Sequence, residues 1–281
     1  MSLLQMTASR AAELTSKAAE LIGRESWLVR RLRPAYETLL DRVSNDHGLP
    51  WQINGVTYRI DPRLRHQLSH DYDASVVRFL RTRVKPGAVC IDVGANVGVY
   101  VLQFAHWSGP EGRVIAFEPN PGARSVLEKH IQFNGLNGQA MVVPAAVGEA
   151  AGEAVLYAAG ADGMSRLGAP NKLIAERVIQ ITVPIVTLDG FCIDKRIEPD
   201  WLFIDIEGFE IAALAGARQL IKSRGADLGI VVEMHPDVWT SANTTRERAE
   251  ALLDELGRRA VPLTGQRNPL DDYGLVYLEA V

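Results

Sequence analysis

An α/β fold built on a doubly wound, mostly parallel sheet, with an N-terminal helical extension, is predicted by three features of the chain. From residue 88 onward, short and nearly continuous apolar runs alternate with segments of helical periodicity. Runs of that kind lack the polar-out alternation of a half-exposed sheet, so both faces must be covered by helices. The first run ends in the glycine turn "DVGANVG" (92–98), and the second ends in an acidic residue, Glu118.

Taken in order, residues 1–46 have apolar positions at roughly helical spacing and are predicted to form one or two amphipathic helices. The basic cluster Arg30, Arg31 and Arg33 falls within them as a solvated face. "WQINGVTYRIDP" (51–62) predicts a hairpin turning at Asn54-Gly55. "DYDASVVRFLRTRV" (71–84) predicts a helix capped by Asp71 or Asp73 and stopped by Pro86-Gly87. Strands follow at 88–93, 112–118, 139–147, 200–206, 226–234 and 273–280. Helices are expected at 97–107, 121–134, 210–223 and 244–259. "EAVLYAA" (153–159) and "RVIQITVPIV" (177–186) read as an added antiparallel pair. The expected organisation is an extension with hairpin over 1–70 and one α/β domain over 71–281.

The chain has 281 residues, 47% hydrophobic and 23% charged, enough for a sizeable core. The net charge of -4 disfavours nucleic acid as a partner. The two cysteines, Cys90 and Cys192, have neither disulfide-framework nor zinc spacing. No apolar stretch reaches the length of a membrane span, and the N-terminus lacks the pattern of a signal peptide. A cytoplasmic protein is expected.

In an open α/β sheet, ligands bind beyond the carboxyl ends of the strands. There Gly94 and Gly98 bracket a turn into a helix, where a Cβ would block close approach of backbone to ligand. Glu118, 24 residues after Gly94, can accept both hydroxyls of a ribose. A nicotinamide dinucleotide and S-adenosylmethionine both fit that geometry. The turn favours the second: its spacing is D-x-G-x-x-x-G rather than G-x-G-x-x-G. Asp92 would repel a pyrophosphate but suits an amino group or a sulfonium.

"VCIDVGANVGVY" (89–100), "GRVIAFEPNP" (112–121), "AAVGE" (145–149), "VTLDG" (186–190), "FIDIEGFE" (203–210) and "VVEMHP" (231–236) follow one another in an order that resembles the FkbM-family methyltransferases. The resemblance covers about residues 71–240. It implies a class I methyltransferase (Rossmann-like) fold and S-adenosylmethionine as methyl donor. It also implies O-methylation of sugars, glycans or polyketide-type metabolites. Carried over position by position, Asp92, Gly94, Asn96 and Gly98 would hold the methionine moiety, Glu118 the ribose, and Ala146 the adenine. The family often carries a lysine two residues before the aspartate of "DIEG"; here that position is Phe203.

"WLFIDIEGFE" (201–210) crowds Asp205, Glu207 and Glu210 where a core strand surfaces. Crowded carboxylates resist ionising, so the arrangement points to an active-site lip. A departing hydroxyl proton calls for a general base or a metal. Asp205 or His235 is expected as base, with Glu207 and Glu233 binding acceptor hydroxyls. A divalent cation bridging Asp205, Glu207 and Glu233 is the alternative, and no metal is expected. Glu210 reads as a helix-start residue. Ser165, with Arg166, sits in a loop that could close over the acceptor, and Tyr72 could cover the cofactor from the other side.

The expected partner is a small-molecule or glycan acceptor, with a homodimer through the N-terminal helices as an option. Competing readings are a non-catalytic S-adenosylmethionine-binding module, an N-methyltransferase of a small amine, and a dinucleotide-dependent oxidoreductase.

Overall fold

The computed structural model describes residues 47–158, 166–167 and 179–281, together with Arg31 and Ser44. The amphipathic helices expected over 1–46, and the dimer contact expected from them, lie outside these residues.

Strands β1 (Leu49–Ile53) and β2 (Val56–Ile60) form an antiparallel hairpin. Its turn is Asn54-Gly55, with φ of 50° and 83°, the left-handed pair that tightens a two-residue hairpin. Trp51, Ile53, Tyr58 and Ile60 pack against Val97, Val99 and Leu102, so the hairpin rests on the start of the helix that follows the glycine turn.

The central sheet is built from β3 (Val89–Val93), β4 (Arg113–Phe117), β5 (Ala140–Val143), β10 (Trp201–Ile204), β11 (Gly229–Met234), β12 (Arg258–Pro262) and β13 (Gly274–Ala280). Its order is β12-β13-β11-β10-β3-β4-β5. All pairs from β11 to β5 are parallel, and β13 runs antiparallel to both its neighbours. The strand order reverses between β3 and β10, so their carboxyl ends open the crevice where a ligand belongs.

Helices α1 (Ala74–Arg81), α2 (Val99–Ser108) and α3 (Pro121–Phe133) cover one face through Leu80, Phe104 and Leu127. Helices α4 (Leu188–Lys195), α5 (Glu210–Ala215), α6 (Arg218–Arg224) and α7 (Arg246–Glu255) cover the other through Leu188, Leu214, Ile221 and Leu252. A second sheet holds β6 (Ala146–Val147), β7 (Gly152–Ala158), β8 (Arg166–Leu167) and β9 (Ile179–Val186) in the order β6-β9-β7-β8. The expected antiparallel pair is β7 with β9.

The structure departs from the sequence expectations at several elements. The strand expected over 139–147 is two strands in different sheets, because Pro144 has no N–H to continue a ladder. The helix expected over 210–223 breaks at Gly216 and Ala217. The Gly216 carbonyl accepts from Asp189 N–H, and the Asp189 carboxylate accepts from Gln219 and Leu220 N–H, capping α6 from outside. The helix expected to run to residue 259 ends at Glu255, because Gly257 turns left-handed (φ 60°) and β12 begins at once. Residues 225–227 are a 3-10 turn ahead of β11 rather than its start. Helix α4 was not expected; Thr187 caps it by accepting from Gly190 N–H. Asp73 occupies the cap position of α1, but its carboxylate accepts from the Tyr100 hydroxyl at 3.0 Å and makes no cap bond.

Candidate active site

The turn after β3 is held by backbone bonds to the next strand. Gly94 N–H and Ala95 N–H both donate to the Phe117 carbonyl at 3.0 Å. Gly94 has φ 86°, and a Cβ there would lie 1.8 Å from the Asp205 carbonyl oxygen. The cofactor turn therefore touches the end of β10 backbone to backbone. Gly94→Ala is expected to lower both the melting temperature and the affinity for S-adenosylhomocysteine, the latter by more than about tenfold, since the loop must both leave a left-handed conformation and move off Asp205. Unchanged values in a thermal melt and a ligand titration would defeat that account. Gly98, with φ 89°, has a packing reason to be glycine: its Cβ would meet Leu127 of α3 at 2.4 Å.

Glu118 is buried at the end of β4. One carboxylate oxygen accepts from Asn96 N–H and the other from Asn120 N–H, each at 2.7 Å. Burial pushes its pKa up to about 7, against the opposing pull of those two amides and Arg124. Asp92, 2% exposed, is pushed up to about 8 by burial and then by the charge of Glu118. One Asp92 oxygen and the side-chain oxygen of Asn96 are buried with no hydrogen-bond partner. Orphaned acceptors are costly unless a ligand donates to them.

Gly94, Asn96, Glu118 and Ala146 line one cleft, and Asp205, Glu207, Glu233 and His235 continue it. An adjoining hollow is lined by Tyr72, Asp92 and Phe203, and shares Gly94, Asn96 and Asp205 with the cleft. Burial, then the neighbouring Asp73 and Asp205 charges, hold the Tyr72 phenol above its usual pKa, so it is a hydrogen-bond donor there. Phe203 is buried and stacks on Tyr100 at 3.8 Å, so the position where the family often has lysine is part of the core. Ser165 lies outside the described residues. Its neighbouring strand β8 pairs with β7, whose Leu156 lines the cleft.

At the far end of the cleft, Asp205 follows β10, and Glu207 and Gly208 turn left-handed in succession (φ 48° and 101°) to start α5. Burial first, then Glu233, Glu207 and Glu210, hold the Asp205 carboxyl well above the usual carboxylate range, and it is hydrogen-bonded to Glu233. Glu233 also accepts from the Tyr273 hydroxyl at 2.5 Å.

Glu210, expected as a helix-start residue, is fully buried and takes a larger part in the site. It accepts from Gly208 N–H (2.7 Å), His235 Nδ1 (2.6 Å) and Trp239 Nε1 (3.0 Å). Burial alone would lower the His235 pKa, but the Glu210 hydrogen bond and the surrounding carboxylates raise it overall. Glu210 and Tyr273 are the site residues that sequence reasoning missed. An acidic residue opening a helix is ordinary dipole chemistry, and Tyr273 lies in no readable motif.

The donor set suits S-adenosylmethionine. Two orphaned acceptors and a carboxylate at the end of the second strand match an ammonium and ribose hydroxyls, and none of the described residues lining the cleft is a lysine or arginine that would receive a pyrophosphate. The sheet order, the glycine turn and Glu118 together define a class I methyltransferase fold. The chain matches the methyltransferase FkbM domain over residues 92–260 and belongs to that family.

Solved structures similar to the chain include an FkbM methyltransferase from Methylobacillus flagellatus KT (15% identity, TM-score 0.46). That alignment covers 68% of this chain and 43% of the other, so the chain spans less than half the length of that protein. A SAM-dependent O-methyltransferase from Thermotoga maritima is 15% identical, with TM-score 0.45, over 83% of this chain and 78% of that one. An S-adenosylhomocysteine-bound methyltransferase from Podospora anserina is 9% identical, with TM-score 0.46, over 76% and 79%. Comparison with curated proteins gives no match. Among the described residues, no helix is long and apolar enough to cross a membrane.

Proposed function

We propose that this protein transfers the methyl group of S-adenosylmethionine to a hydroxyl of a small polyhydroxylated acceptor, a sugar, a glycan or a polyketide-type metabolite. The observation that carries this reading is the continuity of the Gly94–Asn96–Glu118–Ala146 cleft with the cluster Asp205, Glu207, Glu233 and His235. A donor pocket that opens directly onto proton acceptors is what hydroxyl methylation needs. S-adenosylmethionine supplies a methyl group already activated on a sulfonium, so the chain has to align the acceptor and remove its proton. Glu118 and Asn96 hold the ribose end, Asp92 and Asn96 the amino end, and Ala146 borders the adenine. Glu207 and Glu233 accept from acceptor hydroxyls, since carboxylates make strong charge-assisted bonds to them. Asp205 and His235 flank the place where the hydroxyl proton leaves.

The test begins with calorimetric titration of the purified protein with S-adenosylhomocysteine, with NADH in parallel. One-site binding of the first alone is expected, followed by transfer of labelled methyl to polyol acceptors rather than amines. Binding of NADH alone would overturn the reading, and transfer to amines alone would replace O- by N-methylation.

The affinity is expected to rise with pH between about 6 and 8. Glu118 and Asp92, with pKa near 7 and 8 when the cleft holds no ligand, are largely neutral below that window. Ribose hydroxyls and an ammonium favour their ionised forms, so binding near neutrality releases protons. The binding enthalpy should then vary with the ionisation enthalpy of the buffer; equal enthalpies in phosphate and Tris would rule the linkage out.

A further inference from the structure

Asp205, Glu233 and His235 each present one ligand atom, and these atoms lie within 4.8 Å of one another. Two observations beyond the carboxylates point to a bound cation. The first is His235. It is 8% exposed, and Glu210 takes its Nδ1 at 2.6 Å. That contact fixes the ring so that Nε2 faces Glu233. No described residue makes a hydrogen bond to Nε2. The nearest carboxylate oxygen, on Glu233, stands at 3.7 Å, too far for such a bond. Two ligands that each sit about 2.1 Å from one ion are roughly 3.0–4.2 Å apart, depending on the angle between them. A buried carboxylate on the far nitrogen is also how metal-binding imidazoles are fixed in tautomer and orientation.

The second observation is the acidic character of the described lining. Glu118, Asp205, Glu207 and Glu233 line the cleft, and none of the described residues lining it is a lysine or arginine.

We propose that Asp205, Glu233 and His235 bind one divalent cation of the manganese-to-zinc series at the acceptor end of the cleft. The inference rests on reading that end as the acceptor site. Mixed imidazole and carboxylate ligands suit these ions better than magnesium or calcium, which prefer oxygen alone. Three side chains leave coordination positions open. An acceptor hydroxyl occupying one of them would be acidified in place, and a second hydroxyl on the neighbouring carbon could occupy another. The ligand set differs from the one expected from sequence: His235 takes the place of Glu207.

The test titrates chelator-treated full-length protein with Mn2+ while electron paramagnetic resonance counts the free ion. One equivalent should bind, and the spin-echo modulation of the bound ion should show a directly coordinated imidazole nitrogen. His235→Gln should remove that modulation, and Asp205→Asn and Glu233→Gln should each weaken binding at least about tenfold. Absence of stoichiometric uptake by the unaltered protein, or uptake without nitrogen modulation, overturns the site whatever the variants do. S-adenosylhomocysteine is titrated alongside. Its binding without Mn2+ uptake sinks the cation site alone, and its failure to bind the unaltered protein sinks the cofactor reading instead.

Discussion

Replacing Asp205 with Asn is expected to lower methyl transfer by about 10²–10⁴-fold while leaving the affinity for S-adenosylhomocysteine unchanged. The two effects separate because of where Asp205 sits. Its backbone belongs to the cofactor end: Asp205 N–H donates to the Val93 carbonyl at 2.9 Å, and its own carbonyl abuts Gly94. Its side chain belongs to the acceptor end, hydrogen-bonded to Glu233. Asn keeps the backbone, the shape and a donor toward Glu233, so the turn that holds the cofactor is undisturbed. What it loses is the ability to carry negative charge. That loss matters whether the carboxylate takes the acceptor proton itself or holds an ion that acidifies it. Single-turnover transfer from labelled donor to a polyol acceptor, with ligand calorimetry on the same preparation, reads both quantities. A variant that turns over at the unaltered rate would remove Asp205 from the chemistry. One that loses ligand binding as well would make its role structural.

Much of this site was legible in the sequence because it lies at strand ends. β3, β4 and β10 are short apolar runs whose last residues face the crevice by topology alone, which placed Asp92, Glu118 and Asp205 before any side chain was seen. The hairpin was legible for the same local reason, a two-residue turn written Asn-Gly. What escaped depends on long-range partners. The break between α5 and α6 comes from Asp189, about 30 residues away in sequence, reaching the α6 amides. Strand β12 was hidden by Arg258, whose buried guanidinium donates to the Leu228 and Leu278 carbonyls and so masks an inward position as a polar one. Gly257 was a readable stop signal that should have ended α7 sooner. Glu210 is the instructive omission. Its three donors come from a turn, a strand end and the segment after it, and no spacing in the chain announces that convergence.

His130→Ala is expected to destabilise the fold by about 3–5 kcal/mol, although the residue lies outside the cleft. His130 is fully buried on α3 and joins two segments that share no backbone bonds with each other. Its Nε2 accepts from Asp61 N–H at 2.8 Å, at the end of the hairpin, and its Nδ1 donates to the Val97 carbonyl at 2.7 Å, inside the glycine turn. Alanine orphans both groups and leaves a void. The Asp61 bond requires the neutral ring with the proton on Nδ1, whereas Nδ1–H donates to Val97 in either charge state. Burial lowers the pKa to about 4, although the Val97 bond and Asp61 favour the charged form. The unfolded chain binds that proton near pH 6.5, so the native state is favoured while the ring stays neutral. The contribution is complete above about pH 6.5 and falls away as pH drops toward 4, by about 3 kcal/mol in all. The unaltered protein should therefore lose urea midpoint between pH 7 and pH 5, and His130→Ala should lose much less over the same interval. Parallel acid limbs for the two proteins would mean that another group governs the loss.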